Sequence, residues 1–123
     1  MTGSKIFLIE DDHTMLKLLR TLLSFEGFDI SQLGEEETLE EILASVRTIM
    51  PNLILLDVHL RKLDGFDFLK LIRLDKKTKN IRVLMSSGMD YGTRCIDEGA
   101  DGFILKPYMP EDLIAQIRQA LQE

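Results

Sequence analysis

Four short apolar runs, each closed by polar residues, constrain this chain more than any other feature. Residues 6–9 (IFLI) end in Glu10, Asp11 and Asp12, and residues 53–56 (LILL) end in Asp57. Residues 83–85 (VLM) end in Ser86, Ser87 and Gly88, and residues 103–105 (FIL) end in Lys106 and Pro107. Apolar runs of this length without alternation read as strands buried on both faces, which is the pattern of a parallel sheet. Open α/β sheets do their chemistry at the carboxyl ends of the strands. Four strand ends therefore bring an acid cluster, a lone Asp, a hydroxyl and an ammonium to one edge.

Between the runs the apolar period becomes helical. Met15, Leu18, Leu19, Leu22 and Phe25 predict a first helix, stopped by Gly27, and residues 28–31 predict a further strand. Leu39, Ile42, Leu43 and Val46 predict a second helix, with Glu35, Glu36 and Glu37 as an acidic start and Pro51 beyond its end. Asp64 and Gly65 open a third helix through Phe66, Leu69 and Ile72. Pro110, Glu111 and Asp112 open a last one through Leu113, Ile114, Ile117 and Leu121. Residues 89–96 show little amphipathicity, so the helix before it is expected to be short. The reading is an α/β chain of five strands alternating with five helices, without internal repeats or a linker.

The 123 residues suit one domain, and a content of 45% hydrophobic and 29% charged residues is ordinary for a globular fold. A net charge of -6 argues against direct nucleic-acid binding, which draws its sequence-independent affinity from Lys and Arg. The apolar runs are too short to span a bilayer, and residues 1–5 lead into the first strand without a signal-peptide hydrophobic region, so a cytoplasmic location and no membrane partner are expected. Cys95 is the single cysteine; it allows no intrachain disulfide and reads as a small apolar filler.

Asp57 can act as a nucleophile that forms a covalent intermediate. If the electrophile is phosphoryl, two negative species must approach, and a hard divalent cation is the usual remedy. Glu10, Asp11 and Asp57 are candidates to hold Mg²⁺, Lys106 to place a point charge on a phosphoryl oxygen, and Ser87 to donate a hydrogen bond to another. Asp12 reads as an N-cap of the first helix. Strand alternation lets one of Ser86 and Ser87 face the site.

With these residues in place, the chain resembles the receiver domain of two-component response regulators from Lys5 to nearly its last residue. The motifs carrying the resemblance are residues 8–12 (LIEDD), 55–57 (LLD), 64–65 (DG), 87–88 (SG), 99–102 (GADG) and 106–107 (KP), in the family's order. The resemblance implies a flavodoxin-like doubly wound (βα)5 fold, strand order 2-1-3-4-5, with helices on both faces. It implies a single receiver domain over residues 1–123 with a core over about residues 5–122. By the same resemblance Asp57 is the phosphoacceptor, Glu10 and Asp11 the Mg²⁺-holding acids, and Ser87 the switch hydroxyl. Lys106 is the phosphoryl-contacting lysine, before a cis Pro107, and Phe103 the switch aromatic. His59, two residues after Asp57, and Met89 are candidate modulators of the site. The implied donor is a phosphohistidine on a sensor histidine kinase or phosphotransfer protein, and the effector is not legible.

The chain departs from the family pattern in three places. Arg61 stands where a proline commonly stiffens the loop after the acceptor. The stretch from Ser87 to Gly99 is shorter by about three residues, close to one helical turn, and the segment from Gly27 to Asp57 is slightly longer. The shortening removes side chains from the usual dimerising face, so a monomer or weak dimer is expected. A flavin-binding flavodoxin is a poor alternative, since Glu10, Asp11 and Asp12 would repel a phosphate. An aspartyl phosphatase usually carries a second acid where His59 stands, so the chain is expected not to turn over free substrates but to catalyse only its own phosphorylation and dephosphorylation. The remaining alternative is a phosphorylation-independent interaction module of the same fold.

Overall fold

A computed structural model describes residues 3–122; Met1 and Thr2 of the lead-in, and Glu123, lie outside the described residues. Along the described residues run β1 (Lys5–Ile9), α1 (His13–Phe25), β2 (Asp29–Gln32), α2 (Leu39–Ile49), β3 (Leu53–Asp57), α3 (Gly65–Leu74), β4 (Arg82–Ser87), α4 (Gly92–Asp97), β5 (Gly102–Leu105) and α5 (Pro110–Leu121). The strands form one parallel sheet in the order β2-β1-β3-β4-β5, as the resemblance implies.

Period-two alternation divides the strand side chains between two cores. Phe7, Ile9, Ile54, Leu56, Val83 and Met85 pack against residues of α2, α3 and α4, including Ile42, Val46, Phe68, Ile72 and Cys95. Ile6, Leu8, Leu53, Leu55, Leu84 and Ile104 pack against α1 and α5 through Leu16, Leu19, Leu23, Leu113 and Ile117. Cys95 is fully buried, and burial pushes its thiol up to about 11, in keeping with a filler. Among the described residues no helix is long and apolar enough to cross a membrane.

Register then aligns the strand ends. Ile9 pairs with Leu56, Asp57 with Ser86, and Ser87 with Leu105. The Lys106 amide extends the last ladder by donating to the Ser87 carbonyl at 2.8 Å.

The helix starts explain themselves locally. Asp12 caps α1 by accepting the Met15 N–H at 3.0 Å, and Asp64 caps α3 by accepting the Phe66 N–H at 2.7 Å. Pro110 occupies the first turn of α5. In α2 the cap is Thr38, in a reciprocal box with Glu41, and Glu35, Glu36 and Glu37 precede the helix. Glu36 instead accepts from the Gly34 N–H at 2.7 Å and the Ser45 hydroxyl at 2.5 Å, folding the loop onto the helix. β2 begins at Asp29, one residue later than expected, because Phe28 turns into the core below α1 and α5.

Two first-helix residues named from periodicity point outward. Leu18 is 62% and Phe25 87% exposed, while α1 buries Leu16, Leu19 and Leu23. One residue step turns a helical side chain by about 100°, enough to carry Leu18 off the face that Leu19 occupies, and Phe25 follows it one heptad on. The short fourth helix is present as expected, with six residues and no side-chain cap.

At the N-terminal edge of the sheet, Arg73 ties α3 to the segments on either side of β4. It donates to the carbonyls of Gly99 (2.9 Å), Lys79 (3.0 Å) and Ile81 (2.7 Å) and to Asp101 Oδ2 (2.9 Å). The same Asp101 oxygen accepts the Val83 N–H at 2.8 Å.

Candidate functional site

Asp57 closes a strand buried throughout, and its residue is 8% exposed. The chain beyond it is held in place by backbone. The Val58 N–H donates to the Ser86 carbonyl at 2.9 Å, and the Gly65 N–H to the Val58 carbonyl at 2.8 Å. His59 and Asp64 form an antiparallel bridge that closes the loop. Gly65 is required by proximity: a Cβ there would lie 2.5 Å from the Asp57 carbonyl oxygen and 2.9 Å from Val58 Cα. The start of α3 thus rests directly on the end of β3.

Glu10, Asp11 and Asp57 each bring one carboxylate oxygen into a group spanning no more than 4.8 Å. Backbone donors orient two of them: the Arg61 N–H donates to Asp11 Oδ2 at 2.6 Å and the Asp12 N–H to Glu10 Oε2 at 3.2 Å. Arg61 contributes here through its amide, so the missing proline leaves a donor that a proline would lack. Lys106 reaches the cluster from β5, with Nζ 2.8 Å from Glu10 Oε1 and 3.4 Å from Asp57 Oδ1.

One lysine among three acids leaves an excess of negative charge. Burial raises the Asp57 carboxyl above the ordinary range; Lys106 opposes this, and Glu10 and Asp11 add to it. Burial would lower the Lys106 ammonium, but its hydrogen bond to Glu10 and the nearby Asp57 outweigh burial and raise it. The lysine stays charged and the aspartate is electrostatically unsatisfied. Three hard oxygen donors fit Mg²⁺, whose octahedral ligands at about 2.1 Å stand roughly 3 to 4 Å apart.

Ser87, at the end of β4, and Phe103, within β5, make no hydrogen bond to this cluster among the described residues. Ser87, 1% exposed, accepts the Met89 N–H on its Oγ at 3.1 Å, while Ser86 is the register partner of Asp57. Phe103 is half-buried, with its ring 3.5 Å from where a Cβ of Gly92 would stand. His59 and Met89 are exposed, and Tyr91 meets both: its ring is edge-on to His59 with centroids 5.5 Å apart, and its hydroxyl donates to Met89 Sδ at 3.7 Å. Tyr91, Gly65 and the Arg61 amide were not legible as site components. Only the Asp64–Gly65 pair carried a local signal, as a cap followed by a residue without a side chain.

Comparison with known proteins identifies the architecture. The sequence model described as response regulator receiver domain matches residues 6–118. The DNA-binding response regulator MtrA of Mycolicibacterium paratuberculosis is 29% identical over 118 residues, 96% of this chain and 51% of that protein. The chain thus spans about half the length of the curated relatives it matches. Among solved structures, a CheY-like receiver domain protein from Methanospirillum hungatei superposes with a TM-score of 0.84 at 27% identity, covering 98% of this chain and 95% of that one. The receiver domain of the sensor histidine kinase PA1611 from Pseudomonas aeruginosa, solved with a magnesium ion in its active-site cleft, superposes with a TM-score of 0.84 at 18% identity, covering 99% and 100%. The buried Asp at the end of β3, the acids after β1 and the lysine after β5 thus lie in a chain that belongs to the response regulator receiver domain family.

Proposed function

We propose that Asp57 is the phosphoacceptor of this receiver domain and that Glu10, Asp11 and Asp57 hold the Mg²⁺ its phosphorylation requires. The observation that carries the reading is the unbalanced cluster, in which three carboxylates share Lys106 and burial holds the Asp57 carboxyl up. Bound Mg²⁺ would supply the charge that lets a phosphoryl group approach a carboxylate.

The chain's own residues do the rest. An Asp57 oxygen attacks phosphorus as the bond to the donor's leaving nitrogen or oxygen breaks, leaving an acyl phosphate on Asp57. Lys106, already 3.4 Å from Asp57, exchanges part of its contact with Glu10 for a phosphoryl oxygen. The Ser87 oxygen accepts from the Met89 amide, so its own proton is free to donate to the phosphoryl group. Movement of Ser87 frees space at the end of β4, and Phe103, packed at Gly92, is the aromatic that follows it. His59 and Met89 modulate the lifetime of the acyl phosphate.

In this reading the phosphoryl donor is a sensor histidine kinase or phosphotransfer protein, the domain acts in the cytoplasm, and residues 1–123 form one domain without direct contact to nucleic acid or membrane. It catalyses only its own phosphorylation and dephosphorylation. The effector is a separate domain or protein, and with α4 reduced to six residues the phosphorylated domain stays largely monomeric. The test is incubation with Mg²⁺ and acetyl phosphate. One base- and hydroxylamine-labile phosphoryl group is expected, absent from Asp57→Asn and without Mg²⁺. A label that survives in Asp57→Asn would overturn the assignment, and no label at all would favour a phosphorylation-independent interaction module.

A further inference from the structure

The turn between α3 and β4 concentrates positive charge in an acidic chain. Residues 70–82 hold six cations, Lys70, Arg73, Lys76, Lys77, Lys79 and Arg82, against one acid, Asp75, while the whole chain carries a net charge of -6. That acid is spent inside the turn: it pairs with Arg47 and accepts the Lys77 N–H at 3.1 Å. The buried Thr78 hydroxyl, between the Ile72 carbonyl at 2.9 Å and the Asp75 carboxylate at 3.1 Å, fixes the turn from within. Lys76, Lys77 and Lys79 are exposed, and none of their ammonium groups pairs with an acid among the described residues. A rigid turn thus presents cations that nothing in the chain neutralises.

Two shallow hollows adjoin these cations at the N-terminal edge of the sheet, each of about 350 Å³. One is lined by Met50, Ile81 and Leu121 beside Lys77, the other by Lys79 and Arg73, and Asn80 and Arg82 belong to both. Spaces at the lower end of the ligand-pocket range suit single side chains of a docked segment better than a whole small molecule. Met50 is an unusual residue for its position. It ends α2 in left-handed backbone, φ 49°, where glycine or asparagine is the low-cost choice, and it is 41% exposed. The backbone penalty places a flexible thioether chain on the wall of the hollow, where glycine would place none.

We propose that this edge is a docking surface for an acidic protein segment: carboxylates of the segment set against Lys77, Lys79 and Arg82, and an apolar side chain between them enters the hollow at Met50, Ile81 and Leu121. Nucleic acid would answer the cations alone, since a phosphate backbone has nothing to place in the apolar hollow. The surface is electrically separate from Asp57. β4 runs from Arg82 to Ser87, roughly 17 Å at about 3.3 Å per residue, which is twice the screening length of about 8 Å at physiological salt. Phosphoryl charge at the far edge therefore leaves the patch unchanged, and the segment stays bound in both states. The surface is a constitutive tether, and it does not rest on Asp57 being the phosphoacceptor.

The experiment is fluorescence anisotropy of a short, labelled, blocked peptide of glutamates with one central leucine, titrated with the full chain. Saturable binding that weakens as salt rises is expected. Lys77→Glu combined with Lys79→Glu should weaken it about tenfold, whereas Lys17→Glu with Lys62→Glu, the same charge change on α1 and after β3, should not. Met50→Gly should weaken it about fivefold through lost apolar contact, yet keep or raise the melting temperature, since glycine adopts left-handed backbone freely. A merely structural Met50 would not separate the two. Affinity should be the same before and after treatment with acetyl phosphate and Mg²⁺. No saturable binding, equal affinity for the charge-reversed chain, or equal affinity for a peptide lacking the leucine would overturn the inference. So would duplex DNA that displaces the peptide at equal or lower concentration, which would assign the patch to nucleic acid. Salt-sensitive self-association lost on the same charge reversal would assign it to the acidic edge of a second copy and overturn the inference equally.

Discussion

The two edges of the sheet handle charge in opposite ways. At the N-terminal edge one guanidinium is matched to one carboxylate and three carbonyls, and that carboxylate also accepts an amide. Arg82 stands by at 3.7 Å from the other Asp101 oxygen. At the C-terminal edge three carboxylates share one ammonium. Both groups stand at ends of the same sheet, so the difference lies in what the loops supply. A satisfied network rigidifies, while a group with its protonation equilibrium displaced is poised for chemistry. The fold is fastened at one end and left electrostatically unbalanced at the other.

The largest expected effect tests the fastening. Arg73→Met retains most of the stem but leaves three carbonyls without this donor and Asp101 with only the Val83 amide and the more distant Arg82, and the lost hydrogen bonds together should cost about 3 kcal/mol in urea unfolding. Magnesium affinity of the folded fraction should not change. If it fell in step with stability, the two edges would be coupled and the contrast would fail. Next in size is Gly65→Ala, where the added Cβ meets backbone and not a flexible side chain. Separating α3 from β3 should cost about 2 kcal/mol, in the range of overpacking. Unlike Arg73→Met, it should also slow phosphorylation, because the displaced backbone is that of Asp57 itself.

Asp57→Asn should move stability the other way. Burial, opposed by Lys106 and reinforced by Glu10 and Asp11, raises the Asp57 carboxyl. A raised carboxyl contributes stability that is fully present below its unfolded value and lost as pH rises through the folded one. In magnesium-free buffer at neutral pH, Asp57→Asn should therefore melt higher than the unaltered chain, and the gap should close as pH falls toward about 4, the ordinary carboxylate range. An Asp57→Asn chain that melts lower at neutral pH would show that the Lys106 contact outweighs burial, making the site a second fastening.

Whether a feature was readable from sequence depends on the kind of interaction that makes it. The strands and the acids at their ends were legible because burial on both faces forces continuous apolar runs, and the register of a parallel sheet then aligns the polar residues that close them. Asp12, Asp64 and Pro110 were legible as helix starts because capping is local chemistry. Glu35 to Glu37 misled because an acidic run fits a helix start, whereas the Thr38–Glu41 box fixed the actual one. Leu18 and Phe25 misled because periodicity reports a helix and not which of its faces meets the sheet. The Arg73 network joins residues up to 28 positions apart, and Tyr91 bridges two loops, so neither leaves a local pattern.

The smallest expected effect bears on the boundary between fastening and chemistry inside a single tripeptide. Asp12 is exposed, and the Met15 amide is the main cause holding its carboxyl below the ordinary range, so it works as a helix cap although it adjoins the acid cluster. Asp11 faces the other way, oriented toward the cluster by the Arg61 amide. Asp12→Ala should lower the melting temperature modestly and leave the Mg²⁺-induced rise in melting temperature unchanged. Its lowered carboxyl contributes stability present above the unfolded value and lost as pH falls through the folded one, so the deficit should disappear in acid. Asp11→Ala should remove the Mg²⁺-induced rise, since ligand binding to the folded state alone is what raises it. Loss of that rise in Asp12→Ala, with its retention in Asp11→Ala, would place the metal one residue further along the chain and move the boundary with it.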